Sequence, residues 1–582
     1  MPTTRCLLLL STLAALLVPG SSALAQGPLG PLNDLGALGE GSGQTPDTVP
    51  TQRPAEPDPM PVPRAVCGPG ARPEPSIQGR VPAGAADNGL QCNTEMVSHQ
   101  GTSGGFKVLR YTDTQGHTCA YYDTALLFPL NAFNVNASGL GVAVLDMTDP
   151  AHPVQTDTLT EIPMLSPHES LNLNPERGLI AAVSGNPSTY PGDVAIYDAH
   201  ADCRHPVHDF TGVIARFGHE SGFSADGKTF YATGTAVKSI TAIDVTDPKD
   251  PHPIWQGNEL AHGMTLSDDG NRAYVADPTG GDLLILDTSQ IQARKPDPQV
   301  REISRLTWKR ASIPQNAIPF TENGHPYILE FDEYTAGTLG SGSGDDVGAA
   351  RIIDIGDEKA PRVVSNLRLQ INQPADHARY GNDPGAYGSE HGFVQGYAAH
   401  YCNIPTEVDP KFVACSFIAS GLRLFDISDL KAPREAGYFV APTKDKVENG
   451  FSDSSYAMSK PAFDVARHEV WYTDGTSGFY VVKVTNGAWP AAGTTTSAPA
   501  AACRTRRTFT VRLHHAKGDA LRSVKVYVDG KRVKVHRRHG RRLVIVDLRT
   551  KTRRVVTVRA VGVTRRGEHV HRTRRYRACR AG

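Results

Sequence analysis

One phrase recurs along this chain and limits what it can fold into. Short aliphatic and β-branched runs end on aspartate at Gly141-Val-Ala-Val-Leu-Asp146, Ile240-Thr-Ala-Ile-Asp244, Arg351-Ile-Ile-Asp354 and Leu422-Arg-Leu-Phe-Asp426, each followed by a turn. Weaker copies, Val194-Ala-Ile-Tyr-Asp198, Leu283-Leu-Ile-Leu-Asp287 and Tyr480-Val-Val-Lys483, bring the count to seven, with the marked positions 52, 46, 43, 67, 72 and 57 residues apart. A unit of about 45 residues with occasional insertions predicts propeller blades, because one small sheet cannot bury both faces and must stack on its neighbours in a ring. A second phrase, Phe223-Ser-Ala-Asp-Gly227 and Leu266-Ser-Asp-Asp-Gly270, sets an Asp-Gly hairpin ahead of the marked strand.

Together these phrases resemble the LVIVD repeat of bacterial extracellular β-propellers, across residues 92–490. The resemblance implies an all-β, seven-bladed β-propeller; for function it implies only a surface or secreted binding and interaction role. Such propellers commonly close their last blade with an N-terminal strand, here expected around Glu95 to Thr102.

The neutral balance of 60 basic and 60 acidic residues hides two oppositely charged bodies. Residues 501–582 carry 26 Lys and Arg against 4 Asp and Glu, so the rest of the chain has a net charge of −22. Residues 491–502, AAGTTTSAPAAA, form a small, polar linker between them. Beyond it, 503–582 alternates apolar and basic residues around an Asp529-Gly530 turn and reads as a small basic β-sandwich, resembling the immunoglobulin-like domains of bacterial exported proteins. Its arginines, including Arg537, Arg538, Arg541, Arg542, Arg553, Arg554, Arg574 and Arg575, suit an anionic cell-wall or surface polymer. A solvated basic face without a partner fits the same composition. With only Phe509, Tyr527 and Tyr576 as aromatics, the tail lacks a stacking platform for single-stranded nucleic acid.

At the other end, residues 1–25 join Arg5, an apolar run from Cys6 to Val18, and Ala23-Leu24-Ala25, the pattern of a cleaved signal peptide. No later stretch reaches 18 uninterrupted apolar residues, so an exported chain without a membrane span is expected. Residues 26–91 are rich in Gly and Pro and are expected to be a disordered leader. Eight cysteines remain after cleavage, and an even number in an oxidising compartment reads as disulfides. The pairs considered are Cys503 with Cys579 first, then Cys402 with Cys415, then Cys119 with Cys203.

Chemistry is less determined. Counting back eight residues from the hairpin glycine gives His219, His262 and Asn316, with His168 and His391 at similar places in the second and sixth units. Innermost strands would carry His168, His219, His262 and His391 toward the channel from four blades, where imidazoles can hold iron, copper or zinc. Carotenoid oxygenases, also seven-bladed, use a comparable four-His layout. A repeated structural histidine that hydrogen-bonds the next blade satisfies the same spacing, as does a channel for a small anion or polar ligand. No nucleophile elbow, His-Glu-x-x-His pair, EF-hand loop or phosphate loop is found. Two function classes remain: a non-enzymatic propeller that binds a protein or small molecule, and a metal-dependent oxidoreductase with a His ring.

Overall fold

The computed structural model describes residues 49–490, apart from 126–138, 186–189, 236–237, 336–345, 386–395 and 445–453, together with strand segments between 508 and 577. It divides into two units, Met1–Pro490 and Ala491–Gly582. The first is a seven-bladed β-propeller. Blade 1 consists of Val108–Thr112, Thr118–Asp123, Val142–Asp146 and Val154–Leu159, paired in that order, and blades 2 to 6 repeat the arrangement. In blade 7 the chain supplies only Ala462–Asp464, Glu469–Asp474 and Gly478–Val484. The fourth strand is Thr94–Gln100, with Thr94 opposite Val484 and Gln100 opposite Phe479, so the two ends of the propeller are joined by strand pairing.

The six marked aspartates end third strands, and Lys483 is the last residue but one of the third strand of blade 7. The recurring aspartate has a local cause: its Oδ1 accepts the backbone N–H two residues on, as from Thr148 to Asp146 at 2.9 Å, Thr246 to Asp244 at 2.8 Å and Ser428 to Asp426 at 2.9 Å. This Asx turn directs the chain from third to fourth strand, and the second oxygen is free to pair elsewhere, as Asp244 does with Arg294 and Asp426 with Arg434, each at 2.8 Å. The first six blades also share one register shift between third and fourth strands, as at Val144/Leu145 and Leu424/Phe425, which increases the twist of the outer edge.

The leader departs from expectation. Residues 1–48, which include the expected signal segment, lie outside the described residues, but 49–91 pack on the propeller instead of being disordered. Thr51–Gln52 adds a parallel fifth strand to blade 4, and Leu90–Cys92 adds an antiparallel one to blade 6. Val62, Val81, Ala86 and Leu90 enter a core shared with Phe417, Tyr438 and Val440. A composition rich in Gly and Pro cannot build a core of its own, but it can be ordered against a preformed edge. The contact is also ionic. Fully buried Arg423 meets Glu74 of this strap at 2.9 Å and Glu435 at 3.0 Å.

Cys402–Cys415, Cys119–Cys203 and Cys67–Cys92 form disulfides, the last tying the strap to the edge strand of blade 6. The expected Cys503–Cys579 bridge falls outside the described residues, as do His391, Arg553 and Arg554. In the second unit, Thr508–Arg512, Arg541–Asp547 and Val535–Arg538 form one sheet, and Lys531–Val533, Leu521–Val528, Val555–Thr564 and His569–Arg577 another. Arg537, Arg538, Arg541, Arg542, Arg574 and Arg575 are all strand residues. No helix among the described residues is long and apolar enough to cross a membrane.

Two consequences for stability can be measured. Replacing Arg423 with Met leaves the Glu435 carboxylate buried without a counter-ion and Glu74 with only the part-exposed Arg64 at 3.1 Å, and urea titration should show a loss of about 3–5 kcal/mol. An unchanged midpoint would mean that the strap does not depend on this pair. Glu259, in the connection from blade 3 to blade 4, is 4% exposed, and neither carboxylate oxygen has a hydrogen-bond partner among the described residues. Burial, reinforced by Glu302, pushes it up to about 7 from an ordinary 4.5. The folded state therefore holds a proton that the unfolded state loses, and this contribution to stability declines as pH rises from 4.5 to 7. Glu259→Gln should remove that decline and be more stable than the wild type at pH 8 by up to about 3 kcal/mol.

Candidate functional site in the propeller channel

First strands line the channel and touch one another across blades, as where Glu169 bridges Glu220 and Lys107 bridges Lys460. His219 immediately precedes the first strand Glu220–Phe223, and His262 lies just ahead of Met264–Leu266. His168 sits before Asn172–Asn174 with a left-handed backbone, φ 50°. The structure brings these three together: the His168 and His219 rings are 4.6 Å apart and those of His219 and His262 4.7 Å. Asn316, the fifth-blade counterpart, lies on the same wall and hydrogen-bonds Glu220. From blade 6 the imidazole in this cluster is His400, just before Cys402–Asn403. The Phe106 ring packs against both His168 and His400, at 4.2 and 5.3 Å.

Carboxylates fill the space between the rings. Glu169 places Oε2 at 3.3 Å from His219 Nε2 and 3.5 Å from His262 Nδ1, and Oε1 at 3.1 Å from His400 Nε2. Glu333, at the end of the second strand of blade 5, reaches His262 Nε2 at 2.9 Å and His400 Nε2 at 3.1 Å. All six groups are buried. Three sets of donor atoms, His168/Glu169/His219, Glu169/Glu220/His262 and Glu169/Glu333/His400, each lie within 4.8 Å of one another.

Two of the imidazoles have their orientation set by backbone. His219 Nδ1 lies 3.1 Å from the Gly185 carbonyl and His400 Nδ1 2.6 Å from that of Met458. A carbonyl only accepts, so each Nδ1 carries a hydrogen, and in the neutral ring each Nε2 presents its lone pair to the cluster. Close approach to His219 requires glycine at 185, where a Cβ would fall 2.7 Å from the His219 carbonyl oxygen. Facing these lone pairs are carboxylates, which are also acceptors. His168 Nδ1, His262 Nδ1 and one oxygen each of Glu169 and Glu220 have no hydrogen-bond partner among the described residues.

Burial alone would keep all these groups neutral. Burial does hold His168 well below the usual imidazole range, assisted by His219. For His262 burial is outweighed by Glu169 and Glu333, which raise it well above that range. Against the same burial, hydrogen bonds that the ring donates to the Glu169 and Glu333 carboxylates push His400 up to about 9. Glu169 is in turn held well below the carboxylate range despite its burial, by His262 and His168. The cluster is thus organised around positive charge at its centre, supplied by protons on His262 and His400 or by a cation.

Beside it lies a second buried pair. Glu220 Oε1 is 3.0 Å from Lys107 Nζ, while Glu220 Oε2 is 3.8 Å from His262 Nδ1. Gly263 makes room for this carboxylate, since a Cβ there would sit 1.9 Å from Glu220 Oε2.

Counting from hairpins did not find His400, Glu169, Glu220, Glu333 or Lys107. The repeated strings Pro167-His168-Glu169-Ser170 and Gly218-His219-Glu220-Ser221 were the available signal for two of the carboxylates. The sixth unit has no Asp-Gly before Phe412–Phe417, so nothing in its hairpin marks His400.

No family model matches the chain, and no curated protein matches it. Solved structures do. The periplasmic gluconolactonase of Pseudomonas aeruginosa is 13% identical, with 65% of this chain and 99% of that one covered and a TM-score of 0.40. A putative 6-phosphogluconolactonase from Bacteroides uniformis is 13% identical over 57% of this chain and 87% of its own, with a TM-score of 0.37. The WD40 repeats of RRP9 are 10% identical over 70% and 100%, with a TM-score of 0.39.

Proposed function

We propose that this chain is an exported metalloprotein whose propeller channel holds one first-row transition-metal ion, and that it acts as a metal-dependent oxidoreductase. The observation that carries this reading is a buried cluster of four imidazoles and two carboxylates gathered around one centre that calls for positive charge. His219 and His400 each commit the Nδ1 hydrogen to a backbone carbonyl, and their Nε2 atoms face Glu169 and Glu333. The Nε2 atoms of His219 and His262 are 3.4 Å apart. Two nitrogens bound at about 2.1 Å in tetrahedral geometry stand at about this separation. The donor set of neutral imidazoles with carboxylates suits iron, copper or zinc. His168, His219, His262 and His400 would hold the ion, with Glu169 and Glu333 balancing its charge and fixing the rings. An ion held this way supplies an electron-transfer or Lewis-acid centre inside a channel. The LVIVD-like repeat, the N-terminal segment and the three disulfides agree with an extracellular setting.

A second reading, a binding protein retained on a surface, is favoured by charge segregation. The basic C-terminal segment, an immunoglobulin-like sandwich in this reading, would hold the chain on anionic wall or surface polymers by counterion release, leaving the acidic propeller free. The two readings are compatible in one protein.

Metal analysis of the purified, tag-free mature protein should find one equivalent of iron, copper or zinc, lost in the His219→Ala, His262→Ala double variant. A wild-type protein that stays metal-free after incubation with each ion would overturn the oxidoreductase reading. For the tail, the full chain should sediment with an anionic polymer at low salt and be released toward 1 M salt, where the Debye length is about 3 Å. Retention that is indifferent to salt would show that charge does not anchor it.

A further inference from the structure

Of the two sheets in the basic C-terminal unit, one lacks acidic residues. Its four strands, Lys531–Val533, Leu521–Val528, Val555–Thr564 and His569–Arg577, pair in that order and contain no Asp or Glu, whereas the three-stranded sheet carries Asp547. Burial separates the two faces of the larger sheet. Val526, Val528 and Val558 are buried, while Lys525 and Arg532 are exposed. Val528 pairs with Val558, so these valines share the covered face. Lys525 and Tyr527 alternate with them and hold the open face, joined there by Arg532 and Arg559, both opposite Tyr527.

Strand register continues the open face onto the edge strand. Arg559 is opposite Thr573, Thr557 opposite Arg575 and Val555 opposite Arg577, which puts Arg575 and Arg577 on this face, while Arg574, opposite buried Val558, takes the covered side. Lys525 faces Val561 and Arg575 faces Thr557, two positions to either side of Arg559 in its own strand. Lys525, Arg559 and Arg575 therefore lie on one diagonal across three strands. Diagonal neighbours in a sheet stand about 7–8 Å apart. Arg577 extends the track along the edge, two strand residues or about 7 Å beyond Arg575.

We infer that the open face of the four-stranded sheet seats a linear, base-free phosphodiester polymer of the cell surface, laid along Lys525, Arg559, Arg575 and Arg577. The inference deepens the surface-retention reading, on which it rests for the presence of a polyanion, by naming the face and the polymer's chemistry. The period of the track decides the chemistry. Six backbone bonds of an extended chain cover about 6.6–7.2 Å, as two residues of polypeptide do, and a glycerol phosphate repeat has six backbone bonds from one phosphorus to the next. Its charges can therefore meet successive basic positions. An α-linked polycarboxylate carries a charge every three backbone bonds and leaves alternate charges without a partner. Three of the four positions are arginine, whose planar fork takes two oxygens of one phosphate. Single-stranded nucleic acid shares the six-bond repeat, but Tyr527 is the one Phe, Tyr or Trp that these strands place on the open face, and it makes no stacking platform for bases.

The test is binding of the full mature chain to immobilised poly(glycerol phosphate), single-stranded DNA and poly-L-glutamate at matched low salt, repeated on two triple variants with the same change in net charge. One variant, Lys525→Glu with Arg559→Glu and Arg575→Glu, reverses the track. The other, Arg512→Glu with Arg538→Glu and Arg541→Glu, reverses three positions on one face of the three-stranded sheet. The track variant should bind poly(glycerol phosphate) about tenfold or more weakly than the wild type, and the other variant within about threefold of it. Across a salt series, the track variant's slope of log affinity against log salt should be shallower by about 2, at ~0.7 for each of three lost phosphate contacts. The milder set Lys525→Gln, Arg559→Gln and Arg575→Gln should flatten the slope equally, and thermal melts verify that each variant is folded. Equal losses in the two reversed variants would overturn the face and leave the retention reading standing, whereas a wild type that binds none of the three polymers would overturn both. DNA or poly-L-glutamate bound more tightly than poly(glycerol phosphate) by the wild type, a comparison that needs no variant, would overturn the assignment to a base-free phosphodiester.

Discussion

Everything in the propeller depends on the pairing of Thr94–Gln100 with Gly478–Val484. A blade buries its faces only against its neighbours, and a row of seven would leave two faces exposed at its ends. Joining the first and last parts of the chain in one sheet removes those ends. It also fixes the diameter of the channel, and thereby the distances among residues from blades 2, 3, 4, 5 and 6. The strap reinforces this closure: it runs along blades 4 and 6, is bonded at Cys67–Cys92 and is held by the buried Arg423 ion pairs.

Within the ring, the channel concentrates groups that would be costly anywhere else in the core. Four imidazoles and two carboxylates, all buried, are tolerable because each negative group faces a site able to carry positive charge. The local sequence supplies the histidines, always just ahead of an innermost strand, where the chain enters the channel wall. Glu333 differs, since it arrives from the end of a second strand. Its carboxylate completes the cluster by bridging His262 and His400, which come from blades 4 and 6 on either side of its own blade. Blade 5 thus contributes a carboxylate where its neighbours contribute a ring.

The resulting channel wall is electrostatically uneven. Around the histidines, acceptors outnumber donors and a cation is favoured. Beside them, Lys107 is paired with Glu220. Phe106, packed on His168 and His400, excludes water from one side of the cluster and strengthens every charge interaction there.

What the sequence determined by itself were the features with local causes. The strand-ending aspartates are legible because each accepts a hydrogen bond from two residues on, and the Asp-Gly hairpins because the turn needs glycine's conformational freedom. From these, seven blades and the positions of His168, His219 and His262 followed by counting. Tertiary structure decided the rest. His400 and Glu333 join the cluster only through ring closure, and are separated from His168 by long stretches of chain with no shared spacing. The segment 49–91 reads as disordered because it has no core of its own; its order comes from edges and ion partners hundreds of residues away, such as Arg423 and Glu435. Periodicity reports interactions between near neighbours in the chain, whereas a site assembled across a closed ring is set by distances that only the closure defines.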